Sequence, residues 1–248
     1  GIPLVVLAET EEQKMAILDN LFKETYISDI VKRNKIRNVG EMEALLDILS
    51  SAIGALTNPN KLQKTFKSVN RSKITATTIT KYIEYLEDAF LIEEAVRYDI
   101  KGKSYIGTPL KYYFMDMGLR NARINYRQIE ITHSMENVIY NELRMRGFSV
   151  DVGNLTIVEN GKDGKAVKKQ LEVDFICNKG SKKYYIQSAY RLGTEEKLAQ
   201  EIRPFLKIND SFKKIVITSD TPKPCYTDEG ILMMNVYDFL LNPELIDL

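Results

Sequence analysis

Three acidic side chains in the second half of the chain are of the type and spacing that could serve metal-dependent chemistry. Glu172 and Asp174 alternate with apolar residues in "LEVDFIC", and Glu136 lies upstream in "SMENVIYNELRMRG". Carboxylate oxygens are the ligands that Mg²⁺ prefers in proteins. A metal ion held by them polarises a phosphate group and activates water for attack. The three acids therefore raise the question of phosphodiester cleavage.

The elements that must position these acids are predicted to be a helix and two strands. Alternate residues of a strand share a face, so Glu172 and Asp174 are predicted to point together, away from Val173 and Phe175. The segment "KKYYIQSA" is predicted to be the returning strand, with Gln187 near its end. Glu136 is predicted to reach the same place from the helix.

The returning strand lacks two residues that such a site needs, a second acid and a lysine. Gln187 offers one neutral oxygen, and Ala189 brings no charge to meet the negative charge that develops on phosphate. Lys197, on the next predicted helix, is the alternative source of a positive charge. We interpret Glu136, Asp174 and Gln187 as a polar network without catalysis.

Residues 128–248 are predicted to form an α/β domain, a mixed sheet flanked by helices. Its first helix is predicted to begin at Ser134, with His133 just before it on the surface, and to end at Gly147. The segment 159–170 is lysine-rich and is predicted to be a mobile loop. The predicted strands cover residues 148–152, 155–159, 171–177, 183–188, 213–219 and 231–236.

Residues 1–127 are predicted to form a helical linker and a winged helix. Apolar residues recur at helical spacing in "EEQKMAILDNLFKETYISDIVKR", "EMEALLDILSSAIGAL" and "TATTITKYIEYLEDAFLI". Asn58 and Pro59 are predicted to begin the short helix "KLQKTFKSV", and Thr75 or Thr77 to cap the helix after it. Three helices followed by the hairpin of "IEEAVRYD" and "KYYFMD" are the order of a winged helix.

The segment "MDMGLRNARI" after this hairpin contains an acid and a glycine. A catalytic loop would use Asp116 and Gly118 in this way. The favoured interpretation is structural, because Asp116 is a good helix cap and Gly118 permits a close turn.

Basic residues gather in the predicted winged helix, with six lysines or arginines and no acid between Lys61 and Lys81. Phosphate contacts supply most of the non-specific affinity for nucleic acid. The acids near the end of the following helix, Glu84, Glu87 and Asp88, would repel phosphate, so a protein–protein module is the competing interpretation. The predicted nucleic-acid-binding residues are Lys64, Lys67, Arg71 and Lys73.

Composition narrows the classes of protein that remain. The chain has 248 residues, of which 44% are hydrophobic and 28% charged, with a net charge of +1. These values predict a soluble protein and exclude a wholly basic nucleic-acid binder. The cytoplasm is the expected compartment, because the first residues lack the pattern of a secretory signal. The single histidine leaves little room for histidine-based catalysis, and Cys177 and Cys225 lack metal-ligand spacing. No apolar run approaches the ~20 residues of a membrane span, so no membrane partner is expected.

These segments also resemble a known family. "SMENVIYNELRMRG", "LEVDFI" and "YYIQSAYRL" look like the restriction-endonuclease-like, PD-(D/E)XK, fold. They resemble in particular the version at the C-terminus of a large bacterial and archaeal family of AAA-type ATPases of uncharacterised role. "GIPLVVL", "ETYISDIVKR" and "KYYFMDMGLRNA" resemble the linker and winged helix of that family, in the same order.

The resemblance implies metal-binding acids at Glu136 and Asp174 and an acid-X-lysine pair at Gln187 and Ala189, where this chain departs from the active pattern. The chain contains no G-x-x-x-x-G-K-[ST], so the resemblance places the ATP site upstream of Gly1. We expect the chain to be the non-ATPase portion of such a protein, with no cofactor of its own.

Its expected role is recognition of nucleic acid or of a protein partner, with an inactive nuclease-like domain. The alternatives are an active Mg²⁺-dependent nuclease that uses Glu136 and Asp174, with Glu172 or Lys197 assisting, and a structural module for homo-oligomerisation.

Overall fold

The chain divides into two compact units. A computed structural model describes residues 2–69, 72–127, 130–160 and 165–248. The first unit comprises Gly1–Glu94 and Pro109–Glu130, and the second comprises Ala95–Thr108 and Ile131–Leu248. The predicted boundary at 127/128 adjoins residues 128 and 129, which lie outside the described residues.

The first half of the chain is helical up to a hairpin, as predicted. A π-helical turn, Leu21–Ile27, joins the second and third helices. The helices are α1 (Pro3–Val6), α2 (Glu11–Asn20), α3 (Ser28–Arg33), α4 (Val39–Ser51), α5 (Pro59–Val69), α6 (Ala76–Asp88) and α7 (Met117–Arg123), and the hairpin strands are β1 (Ile92–Asp99) and β2 (Ser104–Phe114).

The second half alternates strands and helices. Short 3₁₀ helices follow α9 at Phe205–Lys207 and α10 at Pro243–Asp247. The elements are α8 (Ile131–Met145), β3 (Ser149–Asn160), β4 (Ala166–Lys179), β5 (Lys182–Ala189), α9 (Glu195–Ile202), β6 (Lys213–Thr218), β7 (Cys225–Tyr226), β8 (Leu232–Asn235) and α10 (Val236–Leu241).

The local signals that were expected to begin helices are present. The Asn58 side chain accepts the amide of Lys61 at 2.7 Å and so caps α5. Thr75 caps α6 through the amide of Thr78, and Asp116 caps α7. Each cap satisfies a backbone donor that the first turn of a helix leaves without a partner.

The described residues form one eight-stranded mixed sheet in the order β2-β1-β3-β4-β5-β6-β8-β7, which confirms the α/β fold class. Strands β3, β4 and β5 pair antiparallel. Strands β5, β6 and β8 pair parallel. Within the second unit, β1 pairs parallel with β3 between Arg97 and Asp99. Among the described residues, no helix is both long and apolar enough to cross a membrane.

One apolar cluster packs α9 against the sheet of the second unit, and we call it the α9 cluster. Tyr98, Ile100 and Leu198 pack against it from its margins. Its buried members are Leu155, Ile157, Val173, Ile176, Tyr185, Ala189, Leu192, Ile202, Phe205, Ile208, Val216 and Ile231.

A β-bulge breaks the alternation that was predicted for β4. Asp151 pairs with Ile176 while Gly153 pairs with Val173, so β4 contains one extra residue between them. Val173 and Ile176 consequently share the α9 cluster although they are three residues apart. The prediction that Phe175 lies with Val173 is wrong, because the extra residue reverses the alternation at this point.

Three predicted boundaries also differ from the structure. Helix α8 begins at Ile131 rather than at Ser134, so His133 lies inside its first turn. The separate strands predicted at 148–152 and 155–159 form the single strand β3. Strands β3 and β4 also extend into the segment that was predicted to be a mobile loop, of which residues 161–164 lie outside the described residues. Pairing between β3 and β4 extends these strands beyond what their local residue pattern indicates.

Candidate functional site

Glu136 lies on the buried side of α8. Glu136, Tyr140 and Leu143 are buried and follow helical spacing, so they share one side of the helix. The Tyr140 ring lies 6.1 Å from the ring of Phe175, which directs this side of α8 towards β4. His133 Nδ1 lies 3.7 Å from Glu136 Oε2, an arrangement in which a protonated histidine would form an ion pair.

Asp174, at the bulge, is tied to the neighbouring strand through its side chain and its backbone. The amide of Ser188 donates to Asp174 Oδ2 at 2.8 Å. The Asp174 amide donates to Gln187 Oε1 at 3.3 Å. Gln187 Nε2 in turn donates to Glu201 of α9 at 3.3 Å. The structure thus joins the predicted residues Asp174 and Gln187 and adds Glu201.

Ala189 occupies an apolar environment. It is 3% exposed and belongs to the α9 cluster with Leu192 and Ile202. A lysine ammonium at this position would have to leave water, which costs free energy unless a partner compensates it. The position that the resemblance assigns to a catalytic lysine is therefore part of the hydrophobic core.

Some of the oxygens around Asp174 that a Mg²⁺ ion would need are already engaged in hydrogen bonds. Gln187 Oε1 and Asp174 Oδ2 already accept backbone amides. Glu172 is half-buried opposite Asn154 of β3. Within the described ranges, no three His, Cys, Asp or Glu side chains are grouped so that they could hold a metal ion.

Lys197, the alternative source of positive charge, lies on the exposed surface of α9. Its backbone amide donates to Thr194 as part of the helix cap. Across the part of the chain that the structure describes, its ammonium group makes no hydrogen bond or ion pair with Asp174, Gln187 or Glu201.

Three of the four predicted nucleic-acid-binding residues line one cleft in the first unit. The cleft has a volume of about 890 Å³ and lies between α5 and the segment that leads to α6. Arg71, the fourth residue, lies outside the described residues. The lining residues are Asn60, Gln63, Lys64, Lys67, Ser72, Lys73 and Ile74, which we call the α5 cleft.

The sequence of α5 explains why its lysines face the cleft. Leu62 and Phe66, four residues apart, are buried on one side of the helix. Lys64 and Lys67 therefore remain exposed. In the described chain, neither they nor Lys73 form a salt bridge.

Ser72 fixes the other wall of the α5 cleft. Its hydroxyl donates to Glu41 Oε1 of α4. It also accepts the amide of Ile74 at 3.1 Å, so the segment that carries Lys73 is held in place on both sides.

The acids that would repel phosphate lie at the far end of α6. Lys73 precedes this helix, whereas Glu84 and Glu87 belong to its last turns, about 12 and 17 Å from the helix start at Ala76 at 1.5 Å per residue. Charges on the surface are largely screened over that distance at physiological ionic strength.

Glu87 belongs to a second charged region, which is acidic. Burial, and then the negative charges of Glu94, Glu84 and Glu93, raise the pKa of Glu87 to about 7. Its Oε1 accepts the amide of Glu94 at 3.0 Å, a hydrogen bond that opposes this rise in pKa.

Several residues of both sites were not predicted from the sequence. Asn60, Gln63 and Ser72 are uncharged, so the cluster of basic residues in the sequence does not identify them as part of the site. Glu201 lies on α9 next to the core residue Ile202 and near Leu198 at the margin of the core. The amphipathic pattern of α9 could have placed Glu201 near the sheet, but it does not indicate the partner.

Two curated relatives match almost the whole chain. An uncharacterised protein of Haemophilus influenzae is 35% identical over 241 residues, which is 97% of this chain and 56% of the relative. The uncharacterised protein MJ1544 of Methanocaldococcus jannaschii is 30% identical over 244 residues, 96% of this chain and 50% of the relative. The chain therefore spans about half the length of the curated relatives it matches.

Among solved structures, the crystal structure of protein VC1899 from Vibrio cholerae is 12% identical with a TM-score of 0.29, over 93% of this chain and 56% of that one. Residues 1–130 match the family described as "Domain of unknown function (DUF8612)", and the chain belongs to that family.

Proposed function

We propose that this chain recognises nucleic acid through the α5 cleft and forms part of a longer cytoplasmic ATPase. The observation that carries the proposal is the grouping of Lys64, Lys67 and Lys73 around one concave surface. Phosphate oxygens would accept hydrogen bonds from these ammonium groups, and Asn60 and Gln63 add neutral donors. The affinity would be weak and tolerant of sequence, because such contacts do not read base edges.

The ATPase part of the proposal rests on the resemblance to AAA-type ATPases. The longer curated relatives leave room for a nucleotide-binding domain, and both are uncharacterised proteins. The nuclease-like domain would act as an inactive scaffold, because Gln187 is engaged in hydrogen bonds and Ala189 is part of the core.

Fluorescence anisotropy with a labelled duplex DNA at several salt concentrations tests this proposal. The triple variant Lys64→Ala, Lys67→Ala, Lys73→Ala is expected to bind more weakly and to depend less on salt. Each lost phosphate contact lowers the slope of log K against log salt by about 0.9.

The matched control changes Lys168, Lys197 and Lys223 to alanine, since these lysines are exposed elsewhere and their loss alters the net charge equally. If the α5 triple variant kept the parent affinity and slope, nucleic-acid recognition by this cleft would be wrong.

A protein partner is the second candidate, and a specific surface favours it. Leu4, Val6 and Leu7 are 62%, 81% and 76% exposed, and Leu4 and Leu7 line a shallow groove on α1 and α2. Clustered exposed apolar residues are typical of protein interaction sites. Cross-linking or sedimentation that shows association lost in Leu4→Ser, Leu7→Ser, with DNA affinity unchanged, would favour this candidate.

A further inference from the structure

A second concave site lies in the second unit, at the margin of the α9 cluster. It has a volume of about 450 Å³, within the range of about 300–1,000 Å³ that is usual for small-molecule sites. Its apolar wall continues the core of the unit, so the wall is held by packing. The residues of that wall are Tyr98, Ile100, Leu155, Tyr185 and Ile208.

Four lysines, Lys101, Lys103, Lys183 and Lys207, line this pocket with a single acid, Asp210. None of the four ammonium groups forms a salt bridge within the described ranges of the chain. Like charges around one concave surface repel each other, and a multivalent anion would relieve that repulsion.

Asp210 offsets one of these four charges at most, and it forms no salt bridge with any of the four lysines in the described chain, since its carboxylate accepts two other hydrogen bonds. Asp210 Oδ2 accepts the hydroxyl of Tyr185 at 2.6 Å. Its Oδ1 accepts the amide of Phe212 at 3.2 Å. Burial, together with the hydrogen bond to Asp210, raises the pKa of Tyr185. The phenol of Tyr185 therefore stays protonated and continues to donate to Asp210.

Aromatic rings stand beside the charges. Lys183 Nζ lies 4.9 Å from the ring centre of Tyr185 and 5.1 Å from that of Phe212. Phe212 is 43% exposed at the pocket, so one aromatic surface is available to a ligand. Nucleic acid bases stack on aromatic side chains of this kind, at about 1–3 kcal/mol per base.

A tight turn holds two of the lysines. Asp99 Oδ1 accepts the amides of Lys101 and Gly102 at 3.1 and 3.0 Å. A Cβ atom at Gly102 would lie 2.7 Å from Asp99 Oδ2, so a side chain at this position would disturb the turn. Lys101 and Lys103 are therefore presented by a defined backbone.

We propose that this pocket binds a phosphorylated nucleoside, either a free mononucleotide or the terminal nucleotide of a single strand. Lys101, Lys103 and Lys183 contact the phosphate, and the base lies against Phe212. The site uses other residues than the α5 cleft, in the other unit, so it extends beyond the function proposed above. It does not contain the glycine-rich loop of an ATPase site.

Isothermal titration calorimetry tests the site with four probes: adenosine 5′-monophosphate, adenosine, inorganic phosphate and a short 5′-phosphorylated single-stranded oligonucleotide. The monophosphate or the oligonucleotide is expected to bind saturably, and adenosine and phosphate more weakly, because each offers only half of the contacts. Binding of the monophosphate assigns a free nucleotide, whereas binding of the oligonucleotide alone assigns a strand end.

Two variants remove one kind of contact each. Phe212→Ala is expected to weaken binding about tenfold, which is the loss of roughly one good contact, and Lys101→Ala with Lys103→Ala, which removes two, by at least as much. The controls Lys168→Ala with Lys223→Ala, and Tyr237→Ala, change exposed residues elsewhere and are expected to leave it unchanged.

Three results would overturn this proposal. They are a lack of saturable binding by both nucleotide probes, phosphate binding as tight as that of the monophosphate, and equal losses in the site variants and controls. The Lys64→Ala, Lys67→Ala, Lys73→Ala variant keeps nucleotide binding if the two sites are independent, so each proposal can fail without the other.

Discussion

Gln187 uses both ends of its side-chain amide, and this pattern defines the network around Asp174. Its oxygen accepts the Asp174 amide and its nitrogen donates to Glu201. A glutamate at this position would lose the donor and would place a second negative charge against Glu201. Glutamine at position 187 therefore suits a closed hydrogen-bond network better than it suits the role of a metal ligand.

We predict that the protein does not cleave plasmid, single-stranded DNA or RNA in the presence of Mg²⁺ or Mn²⁺. The loss of one group that stabilises developing charge typically lowers a rate by ~10²–10³, and here the lysine and one acid are both missing. Gel assays should show equal products from the parent and from Asp174→Ala. Cleavage by the parent that disappears in Asp174→Ala would contradict the prediction, whereas equal traces indicate contamination.

Glu87 gives a prediction about stability and pH. Its folded-state pKa of about 7 exceeds the ordinary value of 4.5, so between these values the folded protein binds more protons than the unfolded chain. The free energy of unfolding therefore falls as the pH rises through this window. Glu87→Gln removes this loss and keeps an oxygen that can accept the Glu94 amide. We expect it to stabilise the protein by about 1 kcal/mol at pH 8, after screening by solvent, and by little at pH 4.5.

Urea unfolding of the parent and of Glu87→Gln at the two pH values measures this difference. Glu229→Gln is the control, since Glu229 is an exposed glutamate of the other unit. A gain that is equal at both pH values, or a gain shared by the control, would show that the effect does not come from titration of Glu87.

The sequence predicts residues of the sites where the signal is local. The alternation of "LEVDFIC" and the returning strand were enough to place Asp174 and Gln187 on neighbouring strands. The partners that close the network were not predictable in the same way. Glu201 is far along the chain from Asp174, and nothing in a single sequence pairs two residues at that separation.

At the level of elements, the bulge in β4 shows what a strand pattern cannot reveal. The residues of β4 alternate as an ordinary strand would, and only the pairing with β3 introduces the extra residue. Gly153 of β3 pairs with Val173 at one end of the bulge. A Cβ atom at Gly153 would lie 2.8 Å from Val173 Cβ and 3.2 Å from Ile176 Cδ1.

We therefore predict that Gly153→Ala lowers the free energy of unfolding by about 1–3 kcal/mol, because added atoms in a packed core displace their neighbours. Gly107→Ala in β2 is the matched control, since a Cβ atom there has no described atom within 4 Å. Chemical unfolding of both variants measures the difference. Equal stability of the two variants would show that β3 can move to accommodate the methyl group.

Helix ends were predictable because a cap is a short-range interaction. Asn58, Thr75 and Asp116 each bind an amide three residues ahead, so the residue type and its position before an apolar run carry the information. The start of α8 was misplaced because Ile131 and Thr132 do not break a helix and allow one more turn at its beginning.

At the level of the whole molecule, the net charge of +1 conceals local separation of charge. Lysines line the α5 cleft and the pocket beside Asp210, whereas Glu84, Glu87, Glu93 and Glu94 form an acidic region. Composition therefore excluded a uniformly basic protein and could not reveal the two basic sites. Composition could not predict the strand order either. Strand β1 pairs parallel with β3, some fifty residues later in the chain, and local periodicity does not identify such a distant partner.

The two edges of the sheet bear on how the protein behaves at high concentration. At one edge, β7 has only two residues and follows Pro222 and Pro224. At the other, Thr57 pairs with Leu110 of β2 through hydrogen bonds of 2.7 and 2.8 Å, and Pro109 has no amide proton. Long unpaired edges are the templates for aggregation and amyloid growth. Strand β7 is too short to act as such a template, and the longer edge strand β2 is interrupted by Pro109 and by the pairing of Leu110 with Thr57. Association by main-chain strand addition is thereby disfavoured, which favours contacts through side chains over strand pairing between molecules.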